Sequence, residues 1–152
     1  ALKQAGIKLY ENDVLHITEG RHRFWLAGLG DQISFLDLHR RDRSVPRGVD
    51  DLGKVLGAVN GDDPVILMAH EPDIFPKVPA RISLTLSGHT HGGQVRLFGY
   101  SPIVPSRFGR RYAYGHIVEE QGHLVVSGGL GCSQLPIRIG VPPEITVIEI
   151  GG

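Results

Sequence analysis

The sequence predicts an α/β fold built on a mixed sheet, and three observations carry that prediction. Two continuous apolar runs, "PVILMAH" and "ISLTLSGH", read as strands buried on both faces, the pattern of parallel strands in α/β proteins. An amphipathic helical pattern precedes the first run, and a proline-interrupted connection separates the two, giving the order strand, helix, strand, crossover, strand. Hairpin-like segments at both ends make the remainder antiparallel.

The elements follow in chain order. "GIKLY", "VLHIT" and "FWLAGL" are short runs with β-branched and aromatic content, separated by Asn12-Asp13 and "EGRH". They predict a β-meander over residues 7 to 29. Residues 30 to 49 are polar and arginine-rich, with Pro46 and Gly48, and read as loop. Over "DDLGKVLGAVNG", Leu52, Val55, Leu56 and Val59 recur at i, i+3, i+4, i+7, which predicts a short helix. Asp50 is expected to cap its start and Asn60-Gly61 its end, while Gly53 and Gly57 weaken it. "EPDIFPKVPAR" has room for one helical turn between the buried strands. "YAYGHIVEE" and "HLVVSGG" flank Gln121-Gly122 as a hairpin, and "PEITVIEI" is expected to close the chain as a last strand. Nothing marks an internal repeat or a boundary, so residues 1–152 read as a single domain.

Composition narrows the function classes. Hydrophobic residues make up 41% and charged residues 21%, which are globular values. Sixteen basic residues balance 16 acidic ones, so no bulk charge points to nucleic acid or an anionic membrane. The basic residues are mostly arginine, which suits local phosphate binding. A lone Cys132 excludes a disulfide within this chain. No run of about 18 or more apolar residues offers a transmembrane segment in this chain. The start "ALKQAGIKLYEN" lacks an initiator methionine and the features of a signal peptide, and raises the expectation of further sequence upstream.

Three histidines carry the chemistry. His70 ends "VILMAH", His89 ends "ISLTLSGH", and His91 follows on a turn with Gly88, Gly92 and Gly93. If the two strands are parallel neighbours, all three imidazoles gather at one carboxyl edge, where open α/β sheets bind ligands. Neutral imidazole ligates zinc, manganese and iron-type ions. Taken singly, each histidine also fits a polar strand terminus.

"ILMAHEPD" followed by "LTLSGHTHGGQV" resembles the last two motifs of the calcineurin-like metallophosphoesterases. The tail from "GRRYAYGHIVEE" to "PEITVIEI" is similar to a bacterial subfamily that includes cell-envelope phosphodiesterases, often anchored by an N-terminal membrane segment. The resemblance implies a β-sandwich with a mixed sheet flanked by helices, of which residues 1–152 supply the C-terminal half. It also implies a localisation in the bacterial cytoplasm or cell envelope. It implies a phosphate-ester substrate and two divalent metal ions of the Mn, Zn or Fe type. His70 and His89 then resemble ligands of one metal and His91 a ligand of the other. The family's Asp-x-His, Gly-Asp and Gly-Asn-His motifs are expected upstream. Two divalent ions repel, and three neutral histidines without carboxylates do not hold them together. The alternative is a non-catalytic fragment or a three-histidine metal-binding module.

Several short matches are weaker. Asp37-x-His39, Gly30-Asp31 and Gly61-Asp62 echo the missing motifs out of order, and Asp31 is expected in a turn. His16, His22, His116 and His123 are expected at the surface. Arg107, Arg110 and Arg111 form either a phosphate-attracting patch or a solvated loop. Cys132 is expected to be small and packed, not a nucleophile. Without the missing half, "VILMAH" and "SLTLSG" would expose apolar faces or open edges, so self-association is expected.

Overall fold

A computed structural model describes residues 3–33, 48–133 and 135–150. Among them lies one six-stranded mixed sheet: β1 (Asp13–Glu19), β2 (His22–Gly28), β3 (Val65–Met68), β4 (Leu84–Ser87), β5 (Gly115–Glu119) and β6 (Gly122–Val126). Their order across the sheet is β1-β2-β3-β4-β6-β5. The central neighbours β2, β3, β4 and β6 are all parallel, and the antiparallel edge strands β1 and β5 close the two sides as hairpins.

The two apolar runs form the centre of this sheet. Val65 and Leu67 are fully buried on one face, and Ile66 on the other is only 7% exposed. The open edges therefore belong to β1 and β5 and not to the two histidine-bearing strands.

The first face of the sheet carries the main core. Ala27, Val65, Leu67, Leu124 and Val126 meet Val55, Ile74, Phe75, Val78, Ile82 and Tyr112 there. Val55 comes from the helix α1 (Leu52–Ala58), and Ile74 and Phe75 from the short 3-10 helix Pro72–Lys77. The Phe75 and Tyr112 rings meet edge to face at 5.8 Å.

Three sequence expectations change. The helix is capped by Asp51, whose carboxylate accepts from the Lys54 N–H at 2.8 Å, and not by Asp50. "GIKLY" contributes no strand, so the expected meander is the β1–β2 hairpin alone. "PEITVIEI" joins no ladder among the described residues. Glu144 is the physical reason. Its N–H donates to the Gly129 carbonyl at 3.0 Å, while its carboxylate accepts from the Gly128 N–H at 2.8 Å and from the Tyr114 hydroxyl. These bonds take the chain over the second face of the sheet instead of along an edge. There it lines a cavity of about 1250 Å³ with Phe24, Ile66, Leu84 and Val125.

The cap assignment makes a prediction. Asp51→Ala is expected to destabilise the chain by about 1 kcal/mol. Asp50→Ala should stay within about 0.5 kcal/mol of the parent. Urea unfolding followed by the fluorescence of the single tryptophan, Trp25, measures both.

Candidate metal centre

The parallel register decides which side chains meet. Ile66 stands opposite Leu84, and Met68 opposite Leu86. Two residues further on, the Gly88 N–H donates to the His70 carbonyl at 3.1 Å, so the two strand exits leave the sheet bonded to each other. The His70 and His89 rings then lie 5.2 Å apart, nearly perpendicular. Because β2 and β6 run the same way, their exits reach the same edge. β2 brings Gln32, and β6 brings the loop 128–142.

His89 and His91 adopt left-handed backbone, with φ of 65° and 51°, and Gln94 does so at 49°. Such residues are uncommon outside glycine and concentrate at functional sites. Glycine is required between them. At Gly92, φ is 63°, and a β-carbon would lie 2.7 Å from Val141 Cγ1 and 3.1 Å from Tyr114 Cδ2. Thr90, 1% exposed, anchors the turn through its hydroxyl to the Ala113 carbonyl at 2.6 Å.

Among the described residues, His70, Glu71 and His89 form a ligand cluster. One ligating atom of each lies within 4.8 Å of the others. Divalent zinc takes such nitrogen and oxygen atoms at about 2.0–2.2 Å, so the three are within reach of one ion as their side chains close on it. Glu71 is 3% exposed. Its Oε2 accepts from the Gln32 N–H at 3.1 Å, and the Gln32 side-chain amide donates back to the Glu71 carbonyl at 2.9 Å. Its Oε1 is buried with no hydrogen-bond partner among the described residues, as are Thr85 Oγ1 and Ser87 Oγ. A buried carboxylate left without compensation costs on the order of 3–5 kcal/mol. The donor set therefore fits a divalent cation.

His91 stands outside that cluster. Its Nδ1 faces the Arg138 guanidinium at 3.3 Å, and because arginine only donates, Nδ1 is the acceptor. Arg138 also donates to the Gly128 carbonyl at 2.6 Å and to the Gly131 carbonyl, binding the loop 128–142 to the histidine turn. Burial holds both His89 and His91 below the usual imidazole range, with His70 adding to the effect on His89 and Arg138 to that on His91. Glu71 pulls His89 the other way. Neutral rings are the form that ligates metal.

Relatives of this site's sequence are known proteins. The chain is 43% identical over 86 residues to the uncharacterized metallophosphoesterase YkuE of Bacillus subtilis, which covers 56% of this chain and 30% of YkuE. It is 30% identical over 156 residues to the phosphodiesterase YaeI of Escherichia coli, covering 98% of this chain and 49% of YaeI. The chain belongs to the calcineurin-like metallophosphoesterases. A Bos taurus transmembrane protein with a metallophosphoesterase domain matches this metallophosphoesterase chain at 33% over 146 residues, 91% of the chain and 31% of that protein. The chain thus spans between 30% and 49% of the length of these relatives. No family model and no solved structure matches it.

The other sequence candidates of this metallophosphoesterase chain have other occupations. Asp31 forms a turn, accepting from the Ile33 N–H at 2.7 Å. Asp37 and His39 lie outside the described residues. Asp62 is exposed in the turn after Gly61. His16 pairs with Asp63 at 2.8 Å, and His116 stacks on His123 at 5.2 Å, both pairs at the surface. His22 is exposed at the start of β2. Arg111 pairs with Glu119 at 2.7 Å, Arg110 lies over the Tyr100 ring, and Arg107 adjoins Asp73 at 3.7 Å. Cys132 is exposed, not packed, because its glycine-rich loop lies outside the core. Sequence reasoning missed Glu71 and Arg138. Glu71 was visible as the residue following His70, but its burial rests on Gln32, 39 residues away.

The depressed imidazoles set a pH dependence. Below about pH 6.5 the unfolded chain binds protons that folded His89 and His91 resist. Stability from these groups is therefore complete above that pH and falls as pH drops through their depressed folded values. Urea midpoints at about pH 8 and about pH 5.5 should differ in that sense, and His89→Gln should shrink the difference.

Proposed function

We propose that the protein to which this chain belongs hydrolyses a phosphomonoester or phosphodiester with a dinuclear metal centre. His70 and His89 serve one metal position and His91 the other. The observation that carries this reading is the pairing of His70 and His89 at 5.2 Å on the bonded exits of two parallel strands. Family membership supports the reaction class, and the relative YaeI is itself named a phosphodiesterase.

The chain's own residues have defined tasks in this reading. β3 and β4 deliver the imidazoles, burial favours the neutral ring of His89, and Gln32 orients Glu71 beside them. Arg138 holds the His91 ring in place from the β6 side. Bound divalent ions would activate water and neutralise charge developing on the phosphoryl oxygens. The chain is the C-terminal half of the phosphoesterase domain, and upstream carboxylates complete the second metal position. Relatives of which the chain spans only 30% and 49% support a longer protein with room for such motifs. Self-association of the chain, where it occurs, uses the edges β1 and β5.

The test compares the full-length gene product with this chain. Bound manganese or zinc and hydrolysis of bis-p-nitrophenyl phosphate are expected in the long form. His89→Ala and His91→Ala should each lower the long form's kcat/KM by at least about 100-fold and reduce its metal content. Unchanged metal content in both variants would refute the ligand assignment, and full activity in this chain alone would refute the need for upstream motifs.

A further inference from the structure

Glu71 is the one charged side chain among the buried residues described. No lysine or arginine pairs with it among the described residues, whose salt bridges join His16 to Asp63, Arg107 to Asp73 and Arg111 to Glu119. A carboxylate has about four lone-pair sites, and Gln32 uses one oxygen only. Oε1 has no partner among the described residues, yet the carboxylate lies within 4.8 Å of ligating nitrogens on His70 and His89. A buried carboxylate beside two imidazoles, half-satisfied and without an arginine partner among the described residues, has the composition of a cation site.

We propose that Glu71 Oε1 is a direct ligand, and that this chain alone holds one divalent ion between His70, Glu71 and His89 without any upstream carboxylate. The proposal rests on the ligand roles given above to the two histidines and extends them. One carboxylate and two neutral imidazoles leave a single net positive charge on a divalent ion, whereas two adjacent ions need further anions. The chain's own capacity is therefore one ion per molecule. The backbone N–H of Gln32 fixes the orientation of the carboxylate by holding Oε2, so Oε1 is the oxygen free to bind. His91, engaged with Arg138, lies outside this position.

The experiment titrates Zn²⁺ and Mn²⁺ into the 152-residue chain in competition with a chelating indicator, with thermal melting run alongside with and without metal. Wild type should bind one ion. Glu71→Gln keeps the shape and an oxygen for the Gln32 N–H but removes the charge. It should weaken binding by at least about tenfold, comparable to loss of an outer partner or more. In metal-free buffer the same variant should melt at an equal or higher temperature, because a buried charge is gone. His70→Ala and His89→Ala should weaken binding, and His91→Ala should leave it unchanged. Binding by Glu71→Gln equal to wild type, with the His70 and His89 variants weakened, overturns the role of Glu71 while the histidine ligands stand. No binding by the wild-type chain, with binding by the full-length protein, overturns the chain's autonomy. Weaker binding together with a lower metal-free melting temperature overturns direct ligation in favour of a structural role.

Discussion

The parallel pairing of β3 with β4 is the constraint on which the rest of the molecule depends. Its register aligns Met68 with Leu86, and this lets the Gly88 N–H reach the His70 carbonyl. Side chains alternate along a strand, so a slip of one residue would exchange its faces. Val65 and Leu67 would leave the core they share with Phe75 and Tyr112, and His70 would lose its place beside His89. The core and the site are thus fixed by the same hydrogen bonds. Stability selects the register, and the site follows from it.

The turn after β4 is where the fold pays for this arrangement. His89, His91 and Gln94 each hold left-handed backbone that costs on the order of 1–3 kcal/mol per non-glycine residue. Several bonds, each contributing about 0.5–1.5 kcal/mol net, offset that cost. The Gln94 amide donates to the Ser133 and Leu135 carbonyls at 3.1 and 2.8 Å, and the Ser133 N–H donates back at 2.7 Å. The Arg96 N–H reaches the Ile139 carbonyl at 2.7 Å, and Arg138 closes the same loop from the other side. All these partners follow β6. The placement of β6 next to β4, instead of next to β5 alone, is what lets a distant loop stabilise the histidine turn.

Much of this was legible from residues. The continuous apolar character of "VILM" and "LTLS" predicted buried parallel strands because only strands covered on both faces tolerate it. The hydrophobic spacing from Leu52 gave the helix, and the histidines at the strand ends gave the pairing of His70 with His89. What stayed illegible depended on partners distant in sequence. The alternation in "PEITVIEI" describes a chain that could pair, but the bonds of Glu144 to Gly128, Gly129 and Tyr114 lead it over a face. Val147, 88% exposed, shows how far that segment is from a ladder. Asp50 and Asp51 are equivalent as letters, and only the backbone geometry chooses Asp51. Cys132 sat among glycines that suggested packing, yet those glycines shape an exposed loop.

The placement of Glu71 explains why one strand exit matters more than the others. An exposed carboxylate at that position would be screened by water and would bind an ion weakly. Burial removes the screening, so the same charge attracts a cation strongly, and the cost of leaving it unpaired rises with it. The fold makes this possible by covering Glu71 with Gln32 from the segment that follows the neighbouring parallel strand, while Pro72 begins the 3-10 helix that packs Ile74 and Phe75 into the core. The residue is therefore buried at the strand exit, with one oxygen satisfied by Gln32 and the other without a partner among the described residues. Arg138 sits at the opposite end of the histidine turn, against His91. Negative charge at the His70–His89 end and positive charge at the His91 end make the edge electrostatically asymmetric. In the proposed dinuclear reading, a first cation is drawn to the Glu71 side, and a second position near His91 would have to overcome both that ion and the guanidinium. Further carboxylates would be the physical means of making such a position favourable.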